Sequence, residues 1–299
     1  MIQPYPRFPD FEYIKPLSIE EAVEFLKNHS DQSRPYAGGT DCFVLLRDRR
    51  IHPKYMLDLK SLPGFDQITF DHAKGLTIGA AVTLNQVIQN PKIKKMYPIL
   101  ASSAMEVGGY QLRSRATLVG NLCNASPCGD TIGPCLVYGG NLYLVSSYGE
   151  RTVELCHFYR GPGKTDLKPG EIVTSITLPV PPLKCAGKYL SIGRNKLGDL
   201  AIAAVTVLAY PQPKTPSGFQ FKITLSAVAP TVIFTEKAQT LLAKNRLTSQ
   251  IVEKAAEEAE KACSPIDDIR SSAAYRRAMV QTLTRRALRL TCEQLQIPL

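Results

Sequence analysis

Tyr36-Ala37-Gly38-Gly39-Thr40-Asp41 and Thr117-Leu118-Val119-Gly120-Asn121 are two glycine-bearing turns set far apart in the chain. Each is rich in small residues and hydroxyls, and each interrupts a stretch that otherwise reads as folded core. Glycine permits positive φ and lets backbone N–H groups approach a ligand closely. Two such turns can grip the two phosphates of one dinucleotide from opposite sides. Neither is a P-loop, since no Gly-Lys-Ser/Thr follows, and neither spells G-x-G-x-x-G, so a Walker or Rossmann site is unsupported. From the pattern alone, a phosphate clamp and two purely structural turns both remain open.

The surroundings of the first turn read as a small βαβ-like unit. Ser18-Ile19-Glu20-Glu21 opens a helix, with Ser18 as N-cap and Glu21 completing a capping box. Arg34 to Ala37 forms a short strand, Asp41 or Thr40 caps a helix through Leu46, and Tyr55 to Leu59 forms another strand. The second unit has strands at 65–70 and 75–78, a helix opened by Thr83, a helix at 98–105 and a short helix at 130–137. Further strands are expected at 141–145, 153–158 and 171–179, with the linker Pro179-Val180-Pro181-Pro182 after them. Beyond it, 189–192, 201–210 and 221–228 read as an antiparallel sheet, followed by helices over about 248–262 and 272–290. The division expected is 1–60 and 61–179 for two halves of an α/β ligand-binding region, and 180–299 for a sheet-plus-helices domain: an α+β chain.

Composition sets the class. The 299 residues are 44% apolar and 21% charged, as in a globular protein with substantial cores. The net charge of +10 favours an anionic ligand or partner. No zinc finger, homeodomain or RNP motif accompanies it, so nucleic acid is not the expected partner. The most apolar run, Leu200 to Tyr210, is too short to span a bilayer and alternates like a strand. The N-terminal MIQPYPRFPDFEY lacks the pattern of a secretory signal, which with eight scattered cysteines points to a reducing cytoplasm.

Ala37 to Asp41, taken with the run Gln111-Leu112-Arg113-Ser114-Arg115-Ala116-Thr117-Leu118-Val119-Gly120-Asn121-Leu122-Cys123-Asn124-Ala125-Ser126-Pro127, resembles the FAD-binding medium subunit of molybdenum hydroxylases. That family includes xanthine dehydrogenase and aerobic CO dehydrogenase. The resemblance extends along almost the whole chain, through Gly161-Pro162-Gly163-Lys164, Gly170-Glu171-Ile172-Val173 and the helix entry Asp267 to Arg276. It implies a two-part FAD-binding domain of the vanillyl-alcohol-oxidase type, followed by a C-terminal domain of the CO dehydrogenase flavoprotein type.

The resemblance also assigns roles. Gly38, Gly39, Thr40 and Asp41 match the first pyrophosphate turn, with Arg34, Pro35, Tyr36 and Ala37 leading into it. Thr117, Gly120 and Asn121 match the second, bordered by Val107, Gly108 and Ala116. Asp130 matches an acidic position that contacts FAD, and accepting hydrogen bonds from ribose or adenine suits it; capping a helix over 131–137 is the alternative. Ile172 or Val173 matches an apolar contact to the nucleotide or the flavin ring. An Asp41 carboxylate facing phosphates would be repelled, so Asp41 is expected to cap the next helix and aim its positive end at the anion.

Two positions depart from the family pattern. Val119 stands where the second motif usually has a glycine, which removes a φ-permissive position. Ser191 stands where some relatives carry a lysine near the flavin, leaving Arg194 or Lys196 to supply that charge. One branch of the family, the 4-hydroxybenzoyl-CoA reductases, holds an extra 4Fe-4S cluster in this subunit. Here Cys123, Cys128, Cys135 and Cys156 lie in the corresponding region, without the insertion and without a ferredoxin spacing. Buried structural thiols are the expectation and a cluster the alternative. His29, His52, His72 and His157 show no metal-ligand spacing; the arginines at 270, 276, 277, 285, 286 and 289 could line an acidic partner surface, with a solvated helix face the expectation for most of them.

The function implied is electron transfer through FAD within a larger enzyme. A large subunit would hold the molybdopterin, a small subunit would carry 2Fe-2S clusters, and the whole would form a dimer of heterotrimers. Electrons from the clusters would leave to an acceptor such as NAD or a quinone, with no side chain required as an acid or base. A stand-alone flavin oxidoreductase of the same FAD fold, or a basic scaffold subunit that has lost FAD, are the other readings.

Overall fold

The structure is a computed structural model that describes residues 8–195 and 198–299. The chain begins with β1 (Glu12–Ile14), α1 (Ile19–His29), β2 (Ser33–Tyr36), α2 (Cys42–Arg47) and β3 (Tyr55–Asp58). These strands form a parallel sheet in the order β1-β3-β2. Ser18 caps α1 as its sequence predicts, accepting from the Glu21 N–H. The Glu21 carboxylate, however, accepts from Leu17 N–H at 2.7 Å, one residue before the position a capping box requires. Ala22, Val23 and Leu26 turn the helix's apolar face into the large core, while Leu46 and Cys42 of α2 pack with Met56 in a separate cluster.

The next region contains β4 (Ile68–Asp71), β5 (Gly75–Gly79), α3 (Leu84–Gln89), α4 (Pro91–Met96), α5 (Pro98–Glu106), α6 (Tyr110–Arg113), α7 (Leu118–Asn124) and α8 (Ile132–Val137). It continues through β6 (Asn141–Ser146), β7 (Gly149–Glu154), β8 (Tyr159–Gly161), β9 (Lys164–Thr165) and β10 (Ile172–Leu178). Five of these strands form an antiparallel sheet in the order β4-β5-β10-β6-β7. The strand expected over 153–158 is corrected: β7 stops at Glu154, and Leu155–His157 is a 3₁₀ turn. Leu155 and Phe158, three apart, come onto one side of that turn and are both fully buried, which strand alternation could not achieve.

The last region has β11 (Ala186–Ile192), β12 (Ala203–Pro211), β13 (Phe219–Ser226) and β14 (Ile233–Phe234), in that order in one antiparallel sheet. Helices α9 (Glu236–Lys244), α10 (Ser249–Lys261) and α11 (Ala273–Gln294) follow. The apolar run in β12 is explained by burial on both faces. Ala203, Val205, Val207 and Ala209 face the core shared with α10 and α11, while Ala204 and Leu208 join the core of the first two sheets. Between them, Thr206 and Thr224 bring their hydroxyls against Gly133 of α8, where an added Cβ would come within 2.6 and 2.8 Å. The C-terminal sheet is therefore sandwiched between its own helices and the ligand-binding region. Helix α9, absent from the sequence reading, completes the outer layer.

No described helix is long and apolar enough to cross a membrane. Arg276 corrects the reading of a solvated arginine face, being only 2% exposed. Its Nη1 donates to the carbonyls of Ile202 and Ala227 at 2.8 and 2.9 Å, and its Nη2 to Asp268 at 2.7 Å. A guanidinium can satisfy several carbonyls and a carboxylate at once from one planar group, which is why arginine can be buried here.

Candidate functional site

The first turn meets, through its backbone, the segment that leads directly into the second. A Cβ added to Gly38 would lie 2.1 Å from the carbonyl oxygen of Arg115 and 3.0 Å from Cα of Ala116. Only glycine allows that approach. Gly39 takes φ +74°, and an added Cβ there would strike the Phe43 ring. Among the described residues, the backbone N–H groups of Gly38, Gly39, Thr40 and Asp41 find no acceptor in the chain. Successive free N–H groups in a turn form a concave site for an anion.

The second turn is built differently. Thr117 is the N-cap of α7, its hydroxyl accepting from Gly120 N–H at 3.0 Å. A Cβ on Gly120 would approach that hydroxyl to 2.6 Å, so this glycine keeps the cap closed. Val119 lies inside the helix and is 3% exposed, packed in the large core. Its φ is not positive, so a glycine's conformational freedom is not needed at this position. The expected loss of a φ-permissive position is thereby corrected. Asn121 Oδ1 accepts from the Thr131 hydroxyl at 2.6 Å, tying α7 to the segment that leads into α8.

Around the joined turns lies a cleft of about 600 Å³, within the range of small-molecule and cofactor pockets. The residues matched from sequence to FAD contacts all line it: Arg34 to Asp41, Val107, Gly108, Ala116, Thr117, Gly120, Asn121, Asp130, Ile172 and Val173. Arg113 holds the Val107–Gly108 corner, its Nη1 donating to the carbonyls of Met105, Val107 and Gly108 at 2.9, 3.1 and 2.7 Å. Gly108, with φ +50°, makes that corner possible.

Asp41 departs from expectation. It lines the cleft, but its side chain makes no capping bond. The backbone at Asp41 is already helical, with φ −86° and ψ −41°, whereas a capping side chain needs an extended backbone. Loss of water in the cleft raises its carboxyl pKa. Asp130 is no N-cap either. It is 7% exposed, and its Oδ1 accepts from the Tyr189 hydroxyl at 2.5 Å. Burial pushes its pKa up to about 6, with the Tyr189 bond opposing that rise.

Sequence reasoning missed one whole wall. Leu167, Lys168, Pro169, Gly170 and Glu171 form it, with Leu26 and Ser30 of α1 also lining the cleft. The wall is fixed from behind by Arg151. Its Nε and Nη2 donate to Glu171 at 2.6 and 2.8 Å, and its Nη1 to Asp166 at 3.0 Å. The pairing of Arg151 with Glu171 is visible only after β7 and β10 have been placed in one sheet. Lys168 and Arg34 are the cationic side chains lining the cleft, and among the described residues neither has an ion-pair partner. Arg34 neighbours the Cys42 thiol and Lys168 the Glu171 carboxylate, and the charge of both suits an anionic ligand.

Arg194 does not join the lining; it pairs with Asp199, which does, at 3.1 Å. Lys196 lies outside the described residues. Cys123 and Cys128 line the cleft, Cys135 is buried and Cys156 is exposed, all as free thiols. Among the described residues, no three of these sulfurs come within 4.8 Å of one another. Burial raises the Cys123 pKa to about 12, with Arg34 opposing the rise. His157 instead stands beside Glu154 and Cys156 on the exposed 3₁₀ turn.

Comparison with known proteins bears on the fold and family of the chain. Residues 9–181 match the family described as the FAD binding domain in molybdopterin dehydrogenase, and 188–291 the CO dehydrogenase flavoprotein C-terminal domain. The glyceraldehyde dehydrogenase medium chain of Sulfolobus acidocaldarius is 27% identical over 94% of this chain and 98% of its own. The carbon monoxide dehydrogenase medium chain of Afipia carboxidovorans is 30% identical over 93% and 95%. A solved structure of carbon monoxide dehydrogenase from Hydrogenophaga pseudoflava superposes with a TM-score of 0.91 at 28% identity, covering 97% of this chain and 99% of that one.

Proposed function

The chain belongs to the family of FAD-binding medium subunits of molybdenum hydroxylases, and on that premise we propose how its cleft is used. The observation that carries the proposal is the convergence of separate chain segments on one cleft around the two glycine turns. The residues present fit FAD. The unpaired N–H groups of Gly38 to Asp41 and the cations Arg34 and Lys168 offer donors and charge to a diphosphate. Apolar Val107, Ile172 and Val173 offer surface to the rings, and Asp130 offers an acceptor to hydroxyl groups.

Bound FAD supplies electron transfer between partners that carry one or two electrons. This chain's own residues bind and orient the cofactor, and no side chain moves a substrate proton. Electrons arrive from 2Fe-2S clusters of a small partner subunit and leave to an acceptor such as NAD or a quinone. A large molybdopterin-binding subunit completes the enzyme, which assembles in the cytoplasm as a dimer of heterotrimers. Support for the partners comes from relatives that are themselves named medium chains and medium subunits.

The test is to titrate the purified chain with FAD, following quenching of flavin fluorescence, and to measure flavin content of the complex isolated from its source. Equimolar FAD, co-purifying with two further subunits, is the expected result. A colourless chain that takes up no added FAD would overturn the proposal.

A further inference from the structure

We infer that Tyr189 is a positioning residue for FAD: its hydroxyl fixes the Asp130 carboxylate on the cleft wall as an ionised hydrogen-bond acceptor for the cofactor. The inference rests on the FAD reading above. It begins with a convergence of contacts on 126–130, a segment in which Ser126, Cys128, Gly129 and Asp130 all line the cleft. The C-terminal sheet and its helix entry hold this segment from behind at three points. Ala227 N–H donates to the Pro127 carbonyl at 2.7 Å, Arg270 Nη1 to Cys128 Sγ at 3.4 Å, and the Tyr189 hydroxyl to Asp130 Oδ1 at 2.5 Å. Asp268 steadies Arg270 through bonds at 3.0 and 2.6 Å and pairs with Arg276 as well.

Of the three points, only Tyr189 acts on a carboxyl group, a strong acceptor with several lone pairs. A carboxylate has about four acceptor positions, and Tyr189 occupies one. The rest can receive a hydroxyl or ring N–H of the cofactor. Burial of Asp130 favours the neutral acid, which would offer a donor in place of an acceptor. The bond from Tyr189 favours the ionised form and so preserves the acceptor.

The other charged and polar groups around the pair are known. Glu106, at the end of α5, acts in the same direction as burial, and Ser191 neighbours the phenol on β11. The cleft itself presents Arg34 and Lys168 against Asp41, Glu171 and Asp199, with Arg270 behind Cys128. The Tyr189 ring is 7% exposed and its hydroxyl faces Asp130, so it reaches the cofactor through that carboxylate.

The experiment measures FAD dissociation constants by fluorescence quenching between about pH 5 and pH 8, for the full chain and for Tyr189→Phe and Asp130→Asn. In the unmodified chain, binding tightens as pH rises through a midpoint near 6. Tyr189→Phe keeps the ring and moves that midpoint up by about one pH unit, because the ionised form loses the stronger, charge-assisted bond. Asp130→Asn abolishes the step and weakens binding about 10-fold at the high-pH end. An unmoved midpoint in Tyr189→Phe, or a step that survives in Asp130→Asn, would overturn the inference. Absence of FAD binding by the unmodified chain across the whole range would overturn the cofactor reading instead.

Discussion

Gly38 and Arg115 stand in backbone contact, with the space for a Gly38 Cβ already taken by the Arg115 carbonyl oxygen 2.1 Å away. The two glycine turns are therefore a single structural object, assembled from distant parts of the chain. Gly38→Ala must push them apart. Overpacking of this kind costs about 1–3 kcal/mol, and the displaced N–H groups would no longer converge. The expected result is a lower melting temperature and FAD binding weakened at least about 10-fold, read by thermal denaturation and flavin quenching.

Placing a glycine at position 119 should harm this protein. Val119 is buried, helical and packed in the main core. Val119→Gly removes its buried side chain and adds a helix-propensity penalty, together about 2–4 kcal/mol. Urea denaturation should show that loss, without tighter FAD binding at saturating stability. A gain in FAD affinity would mean that the valine obstructs the cofactor.

The Asp268 carboxylate ties Arg270 and Arg276 together, and those bonds hold its pKa well below the ordinary value despite the opposing effect of burial. The folded form binds its proton less readily than the unfolded form. Its stabilising contribution is thus complete above the unfolded pKa of about 4 and is lost as pH falls toward the lower folded value. Asp268→Asn should lower the melting temperature most at neutral pH, with the gap to the unmodified chain closing below about pH 4. A constant gap across that range would remove ionisation from the account.

Arg276→Ala should cost more than any surface arginine, about 3–5 kcal/mol. It strands the Ile202 and Ala227 carbonyls and one side of Asp268. Arg289→Ala is a useful companion on the same helix, since Arg289 is exposed and has no ion-pair partner among the described residues. Chemical denaturation of the two variants should separate them clearly.

Arg151→Gln should loosen the wall at 167–171 by removing the fork that grips Glu171 and Asp166. Limited proteolysis is expected to cut near that wall in the variant, with added FAD restoring protection. Unchanged cleavage would show that β9 and β10 hold the wall without help.

Local signals in the chain were enough for much of this architecture. Ser18, Thr83, Thr248 and Ser272 all cap helices through their own hydroxyls, so those starts could be read from residue type and position, whereas Thr117, read as part of a glycine turn, caps α7 in the same way. The glycines of both turns announced themselves for the same reason. Helix α9 carries no such signal, because Thr235 makes no capping bond. Arg276 resembles its exposed neighbours in sequence, while its partners come from the residue before β12, the residue after β13 and the loop before α11. Asp130 could be named from the sequence as a candidate and it lines the cleft, but its partner Tyr189 lies far along the chain on β11. What stayed hidden was decided by contacts between segments distant in the chain.

The strand order β4-β5-β10-β6-β7 has a further consequence, for the order of assembly. Strand β10 lies between β5 and β6, and Thr77 meets Thr177 across the sheet at 3.0 Å. Everything from α3 to β9, including the second glycine turn and Asp130, is thus one long excursion closed by the last-made strand of this sheet. Closing so large a loop is entropically costly and slow compared with local contacts. The first glycine turn can form early, but it must wait for β10 before its counterpart is held in place. Cofactor loading is consequently a late event, and a nascent chain stalled before Ile172 should not retain FAD.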